Sequence, residues 1–191
     1  MFDFKFSGAL KLAVATLALV SHAVFAAPLT FSGELTQSDP TFNRPVTLSG
    51  LSIVGTNVAH DVLEFHVTAS GLYSIEATSF GGMDQDSYLM LYQGSFNPGA
   101  PLANLLALDD DSGVGPLSLI SQQLQADISY FLVFSTYDND SYGAYTGQFD
   151  TLSGPGQVVL DLVPGEVPEP GTLALIPLAL AGMALARRRI V

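Results

Sequence analysis

The feature that most constrains the fold of this chain is a two-residue alternation of apolar and polar side chains. In the run DVLEFHV, Leu63, Phe65 and Val67 occupy one face, and Glu64 and His66 occupy the other. The run LYSIEATS, which follows closely, alternates in the same way. A period of two is the period of a β-strand, whereas a helix needs about 3.6 residues per turn. The alternation therefore predicts half-buried strands.

Similar runs recur along the chain and are separated by turn-forming clusters such as Ser70-Gly71 and Asn97-Pro98-Gly99. Two of the runs, SYLMLY and SYFLVFS, are apolar on both faces, as central strands are. No long amphipathic helix interrupts the series, so we expect an all-β fold, an antiparallel β-sandwich. The predicted strands are residues 29–36, 48–54, 61–67, 72–79, 87–92, 117–124, 129–135, 143–151 and 158–163.

The N-terminal segment has the three parts of a secretory signal peptide. Lys5 and Lys11 give it a positive start, and the apolar run LAVATLALV is too short to span a bilayer. Small residues around Ala26 then provide a cleavage site. We expect residues 1–26 to be removed on export, and a buried core helix is the alternative.

The C-terminal segment carries a second targeting signal. Val167-Pro168-Glu169-Pro170 precedes 15 nearly apolar residues, 172–186, and the cluster Arg187, Arg188 and Arg189 follows. As a helix, the apolar run would be about 22 Å long, against about 30 Å for the hydrocarbon core of a bilayer. Positive charge beside it stays on the cytoplasmic side, which leaves the preceding domain outside the cytoplasm. A plain membrane anchor is the alternative to a processed tail.

This arrangement of motif, apolar helix and arginine cluster resembles the PEP-CTERM sorting signal of Gram-negative bacteria. The resemblance implies that an exosortase, a membrane protease-transpeptidase, recognises Pro168, Glu169 and Pro170 and removes the tail. It also implies a protein of the cell envelope, the cell surface or the extracellular matrix, often in bacteria that make exopolysaccharide. The motif residues would then be processing determinants and not active-site groups.

Trimming both ends leaves residues 27–166 as one expected domain with an extreme charge balance. Sixteen of the 18 acidic residues lie in this region, but only one of the six basic residues, Arg44. A formal charge near −15 opposes binding to nucleic-acid phosphates. The absence of cysteine excludes disulfides, thiolate nucleophiles and Cys-ligated metal sites.

The central region also resembles the bacterial pre-peptidase C-terminal domain. The resemblance rests on residues 62–67, the run GLYSI, the run DSYLMLY, Asp109-Asp110, residues 124–126 leading into YFLV, and Gly143-Ala144-Tyr145. It implies a jelly-roll-like, non-catalytic accessory module.

Three acidic turns are candidate metal sites. Ca²⁺ takes six to eight oxygen ligands, and carboxylates clustered at nearby loop positions can supply them. Solvated aspartates that stabilise their own turns are the alternative. The residues are Asp84 and Asp86, then Asp109, Asp110 and Asp111, and finally Asp138 and Asp140.

Catalytic patterns are few in the expected domain. His60 and His66 lie in or beside one strand, where we expect solvated side chains, and no Gly-x-Ser-x-Gly elbow is present. Paired aspartates could hydrolyse glycosides, and tyrosines crowded near the acidic loops could bind sugar rings or pack in the core. We therefore expect a structural or binding module of the cell envelope and not an enzyme. The alternatives are a carbohydrate-binding adhesin and an Asp-dependent glycoside hydrolase.

Overall fold

The computed structural model describes residues 27–161. The predicted signal peptide and the sorting segment with its apolar helix lie outside the described residues. Within the described range, the chain forms thirteen strands and one short 3-10 helix, Met83–Gln85. The strands are β1 (Leu29–Leu35), β2 (Thr41–Phe42), β3 (Pro45–Thr47), β4 (Gly50–Leu51), β5 (Val58–Ala59), β6 (Asp61–Val67), β7 (Gly71–Phe80), β8 (Ser87–Gln93), β9 (Leu105–Asp109), β10 (Leu119–Leu124), β11 (Tyr130–Thr136), β12 (Gly143–Ser153) and β13 (Val158–Leu160).

Two antiparallel sheets account for most of the strands. One has the order β1-β12-β7-β10 and the other has the order β13-β6-β11-β8-β9. Two small ladders, β2 with β5 and β3 with β4, lie outside these sheets. The predicted all-β architecture is therefore confirmed. Among the described residues, no helix has the length and apolar character needed to cross a membrane.

The main core lies between the two sheets and is rich in aromatic rings. Phe149 of β12 packs with its ring centroid 4.8 Å from that of Phe65 of β6, which joins the sheets directly. Phe31 of β1 lies 5.1 Å from Phe149, and Phe134 of β11 stacks on Tyr145 of β12 at 3.8 Å. The inward side chains are those that the two-residue alternation placed on one face, because β-strands present alternate residues to opposite sides.

A second apolar cluster covers the outer face of the five-stranded sheet. Tyr88, Met90 and Tyr92 of β8 point away from the main core, and Phe42 and Val58 pack on the same side. The segment between β1 and β6 therefore acts as a cover for β8 and β11. This cover explains why SYLMLY is buried on both faces, as its composition predicts.

The segment 48–54 departs from the prediction. Only β4, Gly50–Leu51, is a strand within this run, and residues 48 and 49 form the tight turn that joins it to β3, which lies before the run and was not predicted. The short strands β2, β5 and β9 were not predicted. Two-residue ladders carry too little alternation to be detected in a sequence, and all five residues of β9 are only half-buried.

The strand registers bring several loops to one end of the sandwich. Ser87, which begins β8, pairs with Thr136, which ends β11. Asp109, which ends β9, pairs with Leu89 near the start of β8. We call this end the loop end; it gathers residues 44–57, 81–86, 110–118 and 137–142. It contains the predicted acidic turns.

The packing of Phe149 across both sheets predicts a large loss of stability on truncation. We expect Phe149→Ala to lower the free energy of unfolding by about 3–5 kcal/mol, since the ring leaves a cavity that the sheets cannot close. Leu152→Ala, on an exposed side chain of the same strand, should change it by about 0.5 kcal/mol or less. Urea denaturation measures both. Equal effects of the two variants would contradict a core that is centred on Phe149.

Candidate metal centre

Three aspartates from two of the predicted turns meet at the loop end. Asp86 immediately precedes β8, and Asp110 and Asp111 immediately follow β9. Because β8 and β9 are paired neighbours, the start of one lies beside the end of the other. One carboxylate oxygen from each residue lies within 4.8 Å of the other two. Three hard oxygen ligands are thus close enough to face a single divalent cation.

Burial and mutual repulsion disfavour the ionised forms of Asp86 and Asp110. Asp86 Oδ1 and Asp110 Oδ1 are buried and accept no hydrogen bond from an N–H or hydroxyl group of the described residues. The two carboxyl groups can hydrogen-bond to each other only when one of them is protonated. Burial, and then the neighbouring charges of Asp110, Asp111 and Asp138, raise the pKa of Asp86 to about 7. Burial and the Asp111 charge raise the pKa of Asp110 to about 6. Carboxylates that resist ionisation in this way would be stabilised by a bound cation.

Arg44, the only Lys or Arg in the described part of the chain, lies fully buried close to the acidic group. Its guanidinium carbon lies 3.9 Å from the ring centroid of Tyr88 and 4.6 Å from that of Tyr137. Nε and Nη2 donate hydrogen bonds to the carbonyl oxygen of Tyr137 at 3.1 and 2.9 Å. Its positive charge counteracts the rise in the pKa of Asp86 and of Asp110.

The position of the Arg44 side chain also requires a glycine at residue 55. A Cβ at Gly55 would overlap Arg44 Nε and would lie 2.9 Å from the carbonyl oxygen of Tyr137. In the sequence, Arg44 is the single base of the expected domain, and no motif around it indicates a role. The presence of a single cation in so acidic a domain could have predicted its position, because charged side chains are buried only when they are paired.

The other predicted metal residues do not join the group of three. Asp109 Oδ2 accepts hydrogen bonds from the backbone nitrogens of Ser112 and Leu119, at 3.0 and 2.7 Å, and stabilises its own turn. Asp140 accepts a hydrogen bond from Tyr142. Asp138 acts on Asp86 only through its charge. Asp84 is exposed in the 3-10 helix, so the structure brings together three of the seven candidates.

Side-chain hydrogen bonds fasten the 137–142 loop to the covering segment. Asn139 Oδ1 accepts a hydrogen bond from the backbone nitrogen of Asn57 at 2.7 Å, and Asn139 Nδ2 donates to Thr56 Oγ1 at 3.1 Å. Ser141 Oγ accepts a hydrogen bond from the Met83 nitrogen at 2.9 Å. These contacts hold the loops that surround the acidic group in one arrangement.

The two histidines have different environments. His60 is buried, with its ring packed edge-on against Phe42 and Phe96, so the expectation of a solvated side chain is wrong for it. Burial lowers the pKa of His60. His66 is partly exposed, and its Nδ1 lies 2.8 Å from Asp161 Oδ1.

Most of the tyrosines near the acidic loops are core residues. Tyr88, Tyr92, Tyr130 and Tyr145 are buried, so their faces are not open to a sugar ring. Tyr137 and Tyr142 are partly exposed. Core packing therefore accounts for four of the six, as the simpler interpretation predicted.

A groove of about 850 Å³ runs along the flank of the sandwich, between the edge strand β1 and the first half of β6. Ser32, Thr146 and Gln148 contribute hydroxyl and amide groups to its rim, and Asp61 and Glu64 contribute carboxylates. Tyr145 donates a hydrogen bond to Asp61 Oδ2 at 2.8 Å. The groove is distinct from the acidic group at the loop end.

Comparison with known proteins identifies only the C-terminal segment. Residues 166–189 match the PEP-CTERM protein-sorting motif. This motif indicates a bacterial protein that is exported, targeted by an exosortase and sorted to the cell envelope or surface. No curated protein matches the chain. The predicted sorting signal is thus confirmed, although the residues that carry it lie outside the described range.

The raised pKa of Asp86 predicts how stability depends on pH without metal. The folded state holds the Asp86 proton more tightly than the unfolded state, whose value is near 3.8. Protonation therefore stabilises the fold at low pH, and this contribution is lost as pH rises from about 4 through 7. In chelator, Asp86→Asn should be more stable than the natural protein at pH 8, and this advantage should vanish near pH 4.

Thermal melts between pH 4 and pH 8 measure this dependence, with Asp127→Asn as the control because that residue is exposed and lies outside the acidic turns. An advantage of Asp86→Asn that stays constant over the whole pH range would contradict a raised pKa.

Proposed function

We propose that this protein is a non-catalytic module of the cell envelope or exopolysaccharide matrix whose folded domain is stabilised by Ca²⁺ at Asp86, Asp110 and Asp111. One observation carries the proposal: no N–H or hydroxyl group of the described residues donates to the two buried oxygens, Asp86 Oδ1 and Asp110 Oδ1, and the two carboxyl groups can hydrogen-bond to each other only when one of them is protonated. Buried polar groups in native proteins are almost always satisfied. A cation that binds both oxygens resolves the exception.

The local charge supports this choice. The three carboxylates carry three negative charges when ionised, and the Arg44 guanidinium returns one positive charge. A divalent cation would therefore neutralise the cluster. Ca²⁺ also tolerates irregular geometry with water as an additional ligand, which suits three carboxylates in loops better than the strict octahedron of Mg²⁺.

A hydrolytic role is less well supported. The three carboxylates of the group face a common point with oxygens within 4.8 Å of one another, which suits a shared cation. A glycosidase instead needs two carboxyl groups that flank a sugar ring. His60 is enclosed by Phe42 and Phe96, and His66 is paired with Asp161. These contacts favour a binding or structural role over acid-base catalysis.

The proposal also includes export of the protein to the cell surface. We infer that a signal peptide at residues 1–26 starts export in a Gram-negative bacterium, and that exosortase cuts within residues 167–172. The strand order β1-β12-β7-β10 facing β6-β11-β8-β9, to which β13 adds one edge strand, has the alternation between sheets that a jelly roll requires. This order supports the proposed likeness to the pre-peptidase C-terminal domain.

Carbohydrate binding is the second candidate function, and the flank groove favours it. Its size is in the range of small-molecule sites, and its hydroxyl, amide and carboxylate groups are suited to sugar hydroxyls. A glycan array tests this candidate, with Gln148→Ala as the groove variant. Activity screens on polysaccharides and glycosides test the hydrolase.

We expect Ca²⁺ to raise the melting temperature more than ionic strength alone does. At free Ca²⁺ of about 100 times its Kd, the folded state gains about 2.7 kcal/mol, which corresponds to several degrees. The increase should grow between about pH 6 and pH 7, because the cation must displace protons from Asp86 and Asp110. Melts in Ca²⁺, in Mg²⁺ and in NaCl of equal ionic strength after chelation measure it.

Two variants make the Ca²⁺ test specific. Asp110→Asn should remove most of the shift, since a carboxylate ligand is lost while the shape of the turn is kept. Asp140→Asn, in an acidic turn that does not join the group, should retain it. Coincident curves in all three salts would leave the aspartates as solvated turn residues.

We expect the native surface protein to lack its C-terminal tail. Cleavage at or near residues 167–172 removes the apolar run and the Arg187–Arg189 cluster, and intact-mass analysis of protein from the native host measures this loss. Charge reversal of the three arginines should impair sorting, because positive charge holds the end of the tail in the cytoplasm. A mature form that still carries Arg187–Arg189 would contradict processing and would leave a plain anchor.

A further inference from the structure

An exposed apolar hairpin projects at the loop end. We define it as residues 45–54, which include β3, β4 and the turn between them. Ile53 is 94% exposed and Leu48 is 59% exposed, and Val46, Leu51 and Val54 are also exposed. Monomeric soluble proteins rarely expose a contiguous apolar surface unless it contacts something.

The hairpin is also free of charge in a highly acidic domain. No Asp, Glu, Lys or Arg occurs between Arg44 and Asp61. The hairpin therefore carries no charge of its own, although the acidic turns lie at the same end of the sandwich. A surface of this composition can enter a medium of low polarity without the desolvation of charge.

The base of the hairpin is held by the buried arginine. The backbone nitrogen of Arg44 donates to the Gly55 oxygen at 3.0 Å, and the Ser52 nitrogen donates to the Arg44 oxygen at 2.9 Å. Ser52 Oγ accepts hydrogen bonds from the nitrogens of Val54 and Gly55. The apolar side chains are thus presented by a fixed backbone.

The described chain runs toward this same end where it stops. The Asp161 nitrogen donates to the Glu64 oxygen at 2.8 Å, so the chain there runs antiparallel to β6, toward Asp61. Asp61 pairs with Phe134 of β11, and Tyr137, three residues further along, binds Arg44. The hairpin and the exit of the chain therefore share one end of the sandwich.

The length of the segment after Asp161 limits how far the end of the described chain can be from a membrane. Ten residues, 162–171, separate Asp161 from the apolar run 172–186. A fully extended chain of that length spans at most about 36 Å. While the tail remains in the membrane, Asp161 is held within about this distance of the lipid headgroups, and the loop end lies on the side toward which the chain leaves the domain.

We propose that the apolar hairpin docks on the zwitterionic phospholipid surface of the membrane from which the sorting tail emerges. This inference rests on the proposed function, because the tail provides the tether. A second copy of the chain is a poorer occupant, since two domains with a formal charge near −15 each repel one another. Binding of an apolar loop at a lipid interface scales with its buried apolar area and needs no opposite charge.

The absence of tryptophan from the chain makes a direct test possible. Ile53→Trp introduces a single fluorophore at the tip of the hairpin. Leu152→Trp is the matched control, because Leu152 is 44% exposed and lies near the end of β12, at the opposite end of the sandwich. Each variant is prepared as residues 27–191, the chain expected after export, and is reconstituted into phosphatidylcholine vesicles. Circular dichroism checks that both are folded.

The expected result is blue-shifted emission from Ile53→Trp, with quenching by brominated phosphatidylcholine, while Leu152→Trp emits as a water-exposed residue. Identical water-like emission from both vesicle-bound variants would overturn docking and leave the tether intact. A blue shift of Ile53→Trp that persists without lipid and grows with protein concentration would also overturn it, in favour of self-association. Failure of the chain to sediment with vesicles would overturn both tether and docking.

Discussion

The loop end of this domain depends on the burial of one guanidinium group. Arg44 is stacked between the rings of Tyr88 and Tyr137 and donates two hydrogen bonds to the Tyr137 carbonyl oxygen. Taking a cation out of water is costly unless aromatic faces, acceptors and opposite charges replace the lost hydration. All three replacements are present here, and they tie the start of β8, the end of β11 and the base of the hairpin to one point.

The same arrangement explains why the acidic group is poised for a cation. Arg44 offsets part of the repulsion among Asp86, Asp110 and Asp111, but burial still holds the pKa of Asp86 near 7. The pKa of Asp86 therefore lies close to neutral pH. Small changes in pH or in divalent cation concentration would then alter its charge, and linkage carries such changes into the stability of the whole domain.

The central strands β8 and β11 of the five-stranded sheet are covered on both faces, whereas antiparallel sheets commonly leave one face in contact with solvent. Its inner face packs on the four-stranded sheet, and its outer face is covered by Phe42, Val58 and their neighbours. The covering segment has to leave β1, cross β8 and β11, and return to β6. Arg44 lies within that segment, so the same stretch of chain covers the sheet and places a positive charge beside the acidic group.

The alternation of side chains predicted the main strands well, because burial on one face demands a period of two wherever a sheet borders a core. The bounds of β6 agree with the predicted run, and β8 and β11 are central strands, as their two-sided apolar composition indicated. The run at 48–54 misled the prediction. Its apolar residues face solvent, so they carry no information about a core, and a turn interrupts them.

For the site, the sequence by itself determined the supply of carboxylates, the scarcity of cations and the sorting motif at the C-terminus. Only the tertiary structure decided which aspartates meet. Asp86 and Asp110 are 24 positions apart and become neighbours because β8 pairs with β9, whereas Asp109, adjacent to Asp110, turns toward the nitrogens of its own loop. Strand pairing depends on contacts between distant residues, and no local pattern encodes the direction in which one side chain of an acidic turn will point.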